Sequence, residues 1–417
     1  MKLLEAVRSG RPSTLLAAFL YFDVSFMVWV ILGPLAPYIA SDFGLSDTEK
    51  GLLVAVPILG GALLRIPMGI LTDRVGPRKA GLAGLFLTLT PLVWGWLWAD
   101  RLTELMAVGL LLGVAGASFA VALPLAGRWY PKEHQGLAMG IAGAGNSGTV
   151  LAALLAPRLA ERFGWASVMG LATLPILMVL VLFYFLAQEK SDRPGSRPSD
   201  DYLGLLRQTD TGWFCLFYGV TFGGFVGLAS SLVIFFHDQY GLSRVAAGNF
   251  AAACVFAGSF FRPVGGYLSD RFGGVAVLTL LLTWAGIMMI GVSLLPSLAI
   301  VTLLLFLGMV GLGMGNGSVF QIVPRRFGKE LGIVTGLVGA AGGLGGFMLP
   351  TLLGSLKDFT GSYRTGFLIA GIACFIAVAL LHTVYHHDWR YSTWIHQRAT
   401  ADLSSSGRVT MEVVFGG

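Results

Sequence analysis

The sequence predicts an all-α membrane protein of twelve transmembrane helices arranged as two pseudo-symmetric six-helix halves. Three observations carry that prediction. Residues are 55% hydrophobic and only 12% charged, against roughly 25% charged in an ordinary soluble domain, and the mean hydropathy is +0.76. A bilayer core of about 30 Å takes roughly 20 apolar residues per helix, and the 417-residue chain contains twelve such runs. Finally, the polar punctuation between runs repeats at a fixed shift of 197 residues: Arg65, Gly69, Asp73, Arg74 and Gly76 return as Arg262, Gly266, Asp270, Arg271 and Gly273.

The runs of the first half (1–187) cover about 15–40, 51–71, 80–99, 104–126, 136–160 and 165–187. The first is too long for a signal-peptide core and lacks a small-residue cleavage site, so it reads as a span. A linker follows over 188–210, rich in Pro, Ser and mixed charge, a composition that marks a polar connection. The second half (211–385) supplies about 211–236, 245–268, 275–294, 297–323, 331–355 and 363–385, and a polar tail occupies 386–417. With both termini cytoplasmic, 19 Lys and Arg lie on that side and 7 on the other, which orients the chain by the positive-inside rule in a cytoplasmic membrane. That asymmetry also accounts for the net charge of +6 without a nucleic-acid partner. Cys215, Cys254 and Cys374 fall singly in apolar runs, so no metal site or disulfide framework is expected. A second echo of the repeat sets Arg128, Lys132 and Glu133 on Arg325, Lys329 and Glu330.

Two arginines, Arg65 and Arg262, lie well inside the apolar runs rather than at their ends. Arg65 is fourteen residues into the second run, about 20 Å along a helix, and Arg262 holds the same place in the eighth. An arginine at such depth is expensive. Snorkelling to the headgroups would explain one arginine but less readily two at symmetric positions. Asp23 is the clear interior acid of the twelve runs, so the two arginines make a positive centre whose natural cargo is an anion. Guanidinium offers a planar fork of donors suited to planar oxyanions. Nitrate, nitrite, formate, cyanate and small carboxylates all meet that description.

The stretch from Gly69 through Asp73, Arg74, Gly76, Arg78 and Lys79 resembles the loop signature of the major facilitator superfamily, with a weaker echo at Gly266 to Gly273. Its two parallel repeats place substrate at the mid-membrane interface. Two glycine-rich stretches resemble the paired signatures of the nitrate/nitrite porter family within it: Gly140, Gly143, Gly145, Asn146, Ser147 and Gly148 in the fifth run, and Gly336, Gly339, Gly342, Gly343, Gly345 and Gly346 in the eleventh. The segment Gly315-Asn316-Gly317 also looks like that family. Glycine admits a close approach of helix or ligand to the backbone, although close packing explains most single glycines.

The resemblance implies a secondary active transporter of nitrate, and of nitrite as a further cargo, working by alternating access as a monomer among membrane lipids, with no cofactor. It implies that Arg65 and Arg262 bind the anion and that Asn146 orients it. Tyr218, Phe222, Phe119 and, as a looser match, Phe26 would line the site beside Gly145 and Gly342. Asn146 has no amide counterpart, since Gly343 takes its place at the repeat shift. Asp23 is the candidate proton carrier for coupled uptake. If it serves only a structural pairing, nitrate/nitrite exchange becomes the more natural mechanism. Asp73, Arg74, Asp270 and Arg271 read as a cytoplasmic gate that braces the halves, and Glu49, His237, Asp238 and His382 read as interfacial. The competing readings are a porter of formate, oxalate or cyanate, and a non-transporting sensor. No phosphate-binding loop or cofactor fingerprint appears, so an enzyme is not expected.

Overall fold

The computed structural model describes residues 5, 7–189, 204, 208–327 and 331–385. It is helical, without strands among those residues. Twelve helices are long and apolar enough to cross a membrane: α1 (Pro12–Phe43), α2 (Asp47–Val75), α3 (Pro77–Leu97), α4 (Leu102–Gly127), α5 (Ala138–Phe163), α6 (Trp165–Leu186), α7 (Thr209–Tyr240), α8 (Arg244–Phe272), α9 (Gly274–Ser293), α10 (Leu298–Val323), α11 (Val334–Thr360) and α12 (Arg364–Val384). Most of the sequence-predicted linker, the whole tail, and Lys329 and Glu330 lie outside the described residues.

Helix ends run past the apolar runs where local chemistry supports them. α2 starts at Asp47 because Ser46 Oγ accepts from the Glu49 N–H at 3.2 Å while the Ser46 N–H donates to Glu49 Oε2 at 2.9 Å, a reciprocal capping box. Glycines with positive φ end α1 at Gly44 (64°) and α7 at Gly241 (63°), a conformation that side chains disfavour.

Four interruptions matter for the centre of the molecule. α1 breaks between Trp29 and Leu32, and there the Trp29 Nε1–H donates to the Pro57 carbonyl at 2.6 Å. α4 breaks at Ala117 and Ser118. α5 tightens into a 3₁₀ turn over Ala144–Ser147, a device that often marks a functional position inside a helix. α8 breaks at Phe261, with Pro263 opening the helical segment Arg262–Phe272 by removing one backbone donor.

The two halves meet along α2 against α11, α5 against α8, and the second part of α1 against α7. Small residues allow these approaches. A Cβ on Gly51 would sit 2.5 Å from the Pro350 carbonyl oxygen, and one on Gly354 would sit 2.3 Å from that of Asp47. Both contacts lie at the end of the bundle opposite the start of α1 and the end of α12. Nearer the other end, Gly140 and Gly143 on α5 and Gly336 on α11 look into open space. Large apolar side chains such as Phe86, Trp98, Phe185, Leu280 and Met348 are exposed on the outside, as a surface solvated by lipid requires.

Candidate anion site between the halves

Arg65 is 1% exposed. The break in α4 supplies one of its partners. The Ala120 N–H bonds the Ala117 carbonyl at 3.0 Å, and the Gly116 carbonyl turns to accept Arg65 Nε–H at 3.3 Å. Arg65 Nη1 donates across the halves to the Gly339 carbonyl on α11. Three ring faces surround the guanidinium, Phe222 at 5.1 Å and Trp29 and Phe119 at 5.5 Å each, a cation–π cage of the kind that stabilises a buried cation. Nη2 has no partner among the described residues.

Arg262 faces the same centre from the other half. Its Nη2 donates to Tyr218 Oη at 3.4 Å, the Phe320 ring lies 6.0 Å away, and its buried Nη1 is unpartnered. The rings join the two arginines from both sides. Tyr218 and Phe222 stack at 5.0 Å with planes 5° apart. Phe320 stands edge-on to Tyr218 at 4.9 Å, and Phe119 meets Phe320 at 6.0 Å across the halves. The result is an aromatic frame with a guanidinium at each of two opposite corners, and each guanidinium keeps one buried nitrogen, with its two N–H groups, unpartnered among the described residues. Like charges so placed repel one another and favour an anion between them.

Asn146 sits in the 3₁₀ turn of α5, fully buried, with both side-chain polar atoms unpartnered. Its carbonyl accepts from Thr149 Oγ1 at 2.7 Å and from Ser259 Oγ of α8 at 3.4 Å. Ser259 stands three residues before Arg262, so this bond ties the asparagine's turn to the helix that carries the second arginine. Gly145 packs on Phe22 and the backbone of Asp23, and Gly342 packs on the Tyr218 and Phe222 rings. Phe26 reaches the frame indirectly, edge-on to Phe22 at 4.2 Å and to Trp29 at 4.8 Å. Asp23 accepts from Ser147 Oγ at 2.6 Å, and no ion pair among the described residues links it to either arginine. It is therefore coupled to the Asn146 turn rather than to the guanidiniums.

Of the loop residues, Asp73 pairs with Arg128 at 3.3 Å, and Asp270 accepts from Gln321 Nε2 at 2.9 Å. Each bond lies within one half, α2 to the end of α4 and α8 to α10. Arg74 lies in the last turn of α2, and Arg271 lies over the Phe272 ring at 5.3 Å. At the other end, Lys50 of α2 bridges Asp47 at 2.5 Å and Asp238 of α7, while Lys357 of α11 reaches Asp47 at 3.1 Å and Asp238 at 3.2 Å, so that charge joins the halves there. Asp358 accepts from the backbone N–H groups of Asp47 and Thr48 at 3.0 and 2.6 Å, so a carboxylate of one half caps a helix of the other.

Sequence reading did not single out Trp29, Phe320, Ser147 or this charge network. Phe320 had a usable signal, since it stands one helical turn from Asn316. Trp29 had none, as one aromatic in an apolar run. The network joins residues up to 311 positions apart.

Comparison with known proteins gives a consistent picture. The family described as Major Facilitator Superfamily matches residues 17–350. A Bacillus subtilis protein named "Nitrite extrusion protein" is 35% identical, covering 86% of this chain and 91% of its own length. A Thermus thermophilus protein named "Probable nitrate/nitrite antiporter NarK1" is also 35% identical, over 91% of this chain and 93% of its own. A Mycobacterium tuberculosis protein named "Probable nitrate/nitrite transporter NarK2" is 34% identical over 90% and 97%. Among solved structures, an inward-facing, occupied bacterial homologue of the human lysosomal transporter Spinster superposes with a TM-score of 0.70 at 20% identity, covering 90% of this chain and 97% of that one. At that identity the likeness concerns the fold.

Proposed function

The chain belongs to the nitrate/nitrite porter family of the major facilitator superfamily, and from that premise we propose that it carries nitrate and nitrite across the membrane by alternating access. It is a multi-pass membrane transporter rather than an enzyme. The observation that carries the substrate reading is the pair of guanidiniums in one aromatic frame, each with a buried nitrogen unpartnered among the described residues. A flat monovalent oxyanion takes one donor from Arg65 and one from Arg262, bridges the halves and relieves their repulsion. Phe222 and Tyr218 on one side and Phe119 and Phe320 on the other bound it with apolar faces, which suits a weakly hydrated ion. Asn146 adds an amide that holds it in one orientation.

The halves then rock about that centre. With the positive-inside orientation, the Lys50–Asp238–Lys357–Asp47 network closes the outer side and the open glycine-lined side faces the cytoplasm. In coupled uptake Asp23 takes up a proton, and Ser147 passes the change to the Asn146 turn. A second reading, exchange of nitrate for nitrite, is favoured by the arginines themselves. With no carboxylate among the described residues paired to either, reorientation of a loaded site is easier than that of two bare cations.

Nitrate flux into proteoliposomes, measured at several pH values with and without internal nitrite, tests these readings together. Saturable nitrate uptake is expected, inhibited by nitrite and unaffected by formate, oxalate or cyanate. Stimulation by an inward proton gradient supports coupling, whereas strict dependence on internal nitrite supports exchange. Absence of nitrate flux under every gradient overturns transport.

A further inference from the structure

The shift of 197 residues that sets Arg65 on Arg262 also sets Phe119 on Asn316 and Asn146 on Gly343. Phe119 lies over the Arg65 guanidinium at 5.5 Å. The place that the repeat assigns beside Arg262 therefore carries an amide where the first half carries a phenyl ring. Asn316 is fully buried, and both Oδ1 and Nδ2 lack a partner among the described residues. A buried amide with all its hydrogen-bonding capacity unused is unfavourable unless a ligand engages it.

The packing of α10 tells where this residue points. Gly313 and Gly317 press on the α8 backbone at Gly258 and Arg262, and Gly315 presses on Thr221 of α7. The helix face between those contacts holds Asn316 and, one turn on, Phe320. Phe320 meets Tyr218 at 4.9 Å, Phe119 at 6.0 Å and Arg262 at 6.0 Å. Asn316 thus lies on the face that looks into the aromatic frame, one helical turn from a ring that lines it.

We propose that Asn316 is a second anion-binding amide and that it selects an oxyanion with three oxygens over one with two. The inference rests on the reading that nitrate and nitrite bind between Arg65 and Arg262. Arg65 and Arg262 approach the anion from opposite sides, each with one wholly unpartnered nitrogen, so each holds the oxygen that faces it. Nitrate has a third, and the Asn316 Nδ2–H donates to it, while nitrite leaves that donor unused. Each half contributes one amide but from non-equivalent helices, Asn146 from α5 and Asn316 from α10. Charge at the site follows the pseudo-symmetry; the amides break it.

The test measures equilibrium binding of nitrate and of nitrite to the purified full-length protein and its variants. Asn316→Leu, close in volume and without a donor, should weaken nitrate by about tenfold or more and nitrite much less, so the nitrate-to-nitrite preference falls. Thermal stability should hold or rise, because an unpartnered amide is removed. Asn316→Ser keeps a donor and should retain more of the preference than Asn316→Ala, and that pair gives the same comparison if the leucine variant does not fold. An unchanged nitrate-to-nitrite ratio in the donor-free variant overturns the proposal. A wild-type protein that binds neither anion overturns the underlying transport reading, a result distinct from an unchanged ratio.

Discussion

Arg65 directs two of its donors to carbonyls, Gly116 on its own half and Gly339 on the other, and that use of the fork separates arginine from lysine. An ammonium keeps the charge but cannot reach two carbonyls and an anion in one plane. Arg65→Lys and Arg262→Lys are each expected to weaken nitrate binding by about 10- to 150-fold, the worth of one or more hydrogen bonds to a charged group, as measured by equilibrium binding. Wild-type affinity in both variants removes the arginine clamp. Asp23→Asn addresses coupling, since the amide imitates a permanently protonated carboxyl. Uptake should lose its dependence on the proton gradient while nitrate/nitrite exchange persists, and pH-dependent flux like the wild type's would exclude Asp23 as the proton site. At this scale the sequence showed the charges well, because buried arginines and a buried aspartate stand out against apolar runs. It showed the uncharged partners poorly: Trp29 and Phe320 are ordinary in such runs until the fold sets them beside a guanidinium, and Asn316 stood in a recognisable segment without its direction being readable.

Apolar runs foretell helices, and all twelve are present, but the interruptions that shape the site lie beneath that signal. A break at Ala117–Ser118 or at Phe261 leaves hydropathy unchanged, and only Pro263 and the glycines hint at it. Glycines in the eleventh span turn out to act in several ways: Gly339 offers its carbonyl to Arg65, Gly342 seats the Tyr218 and Phe222 rings, and Gly343 and Gly345 press on Ala62 and Gly219. Most of that run is packing, as for most glycines in membrane helices. The α2–α11 seam gives an element-scale prediction. At Gly354 an added methyl meets the backbone carbonyl of Asp47 at 2.3 Å, a contact that no side-chain movement relieves. Gly354→Ala should therefore wedge the seam apart and favour the state open at this end. A single cysteine placed at Asp238 in a background without Cys215, Cys254 and Cys374 should react several-fold faster with a membrane-impermeant maleimide when Gly354→Ala is present. Equal rates would mean that the seam yields without separating.

At the scale of the whole molecule, the end of the bundle away from the start of α1 is held by charges that pair both within and across the halves: Asp47–Lys50 and Asp238–Lys357 each lie in one half, whereas Lys50–Asp238 and Lys357–Asp47 cross between them. Asp47 and Lys50 come from α2, Asp238 from α7, and Lys357 and Asp358 from α11. Their side chains are only 13–21% exposed in the four paired residues, so water screens them less than it would a surface pair. In the proposed alternating access the two crossing pairs break when the halves rock, and their free energy then belongs to the conformational equilibrium rather than to folding. Removing one lysine leaves two carboxylates sharing the other, whereas removing both leaves Asp47 and Asp238 facing each other as like charges. Lys50→Ala with Lys357→Ala is thus expected to shift the population toward the state open at this end by about 1–3 kcal/mol, roughly a 5- to 150-fold change. Distances between spin labels at Asp42 and Ser362, read in detergent and in lipid, should lengthen accordingly. Neither lysine approaches the arginines, so nitrate affinity measured in the locked-open population should match the wild type's. A double variant that keeps the wild-type distance distribution would assign closure to the glycine seam alone. The two predictions separate the contributions: the seam acts through shape and is indifferent to salt, while the charge network weakens as ionic strength rises, so the wild-type distribution itself should broaden toward the open state in high salt only if the lysines hold the gate.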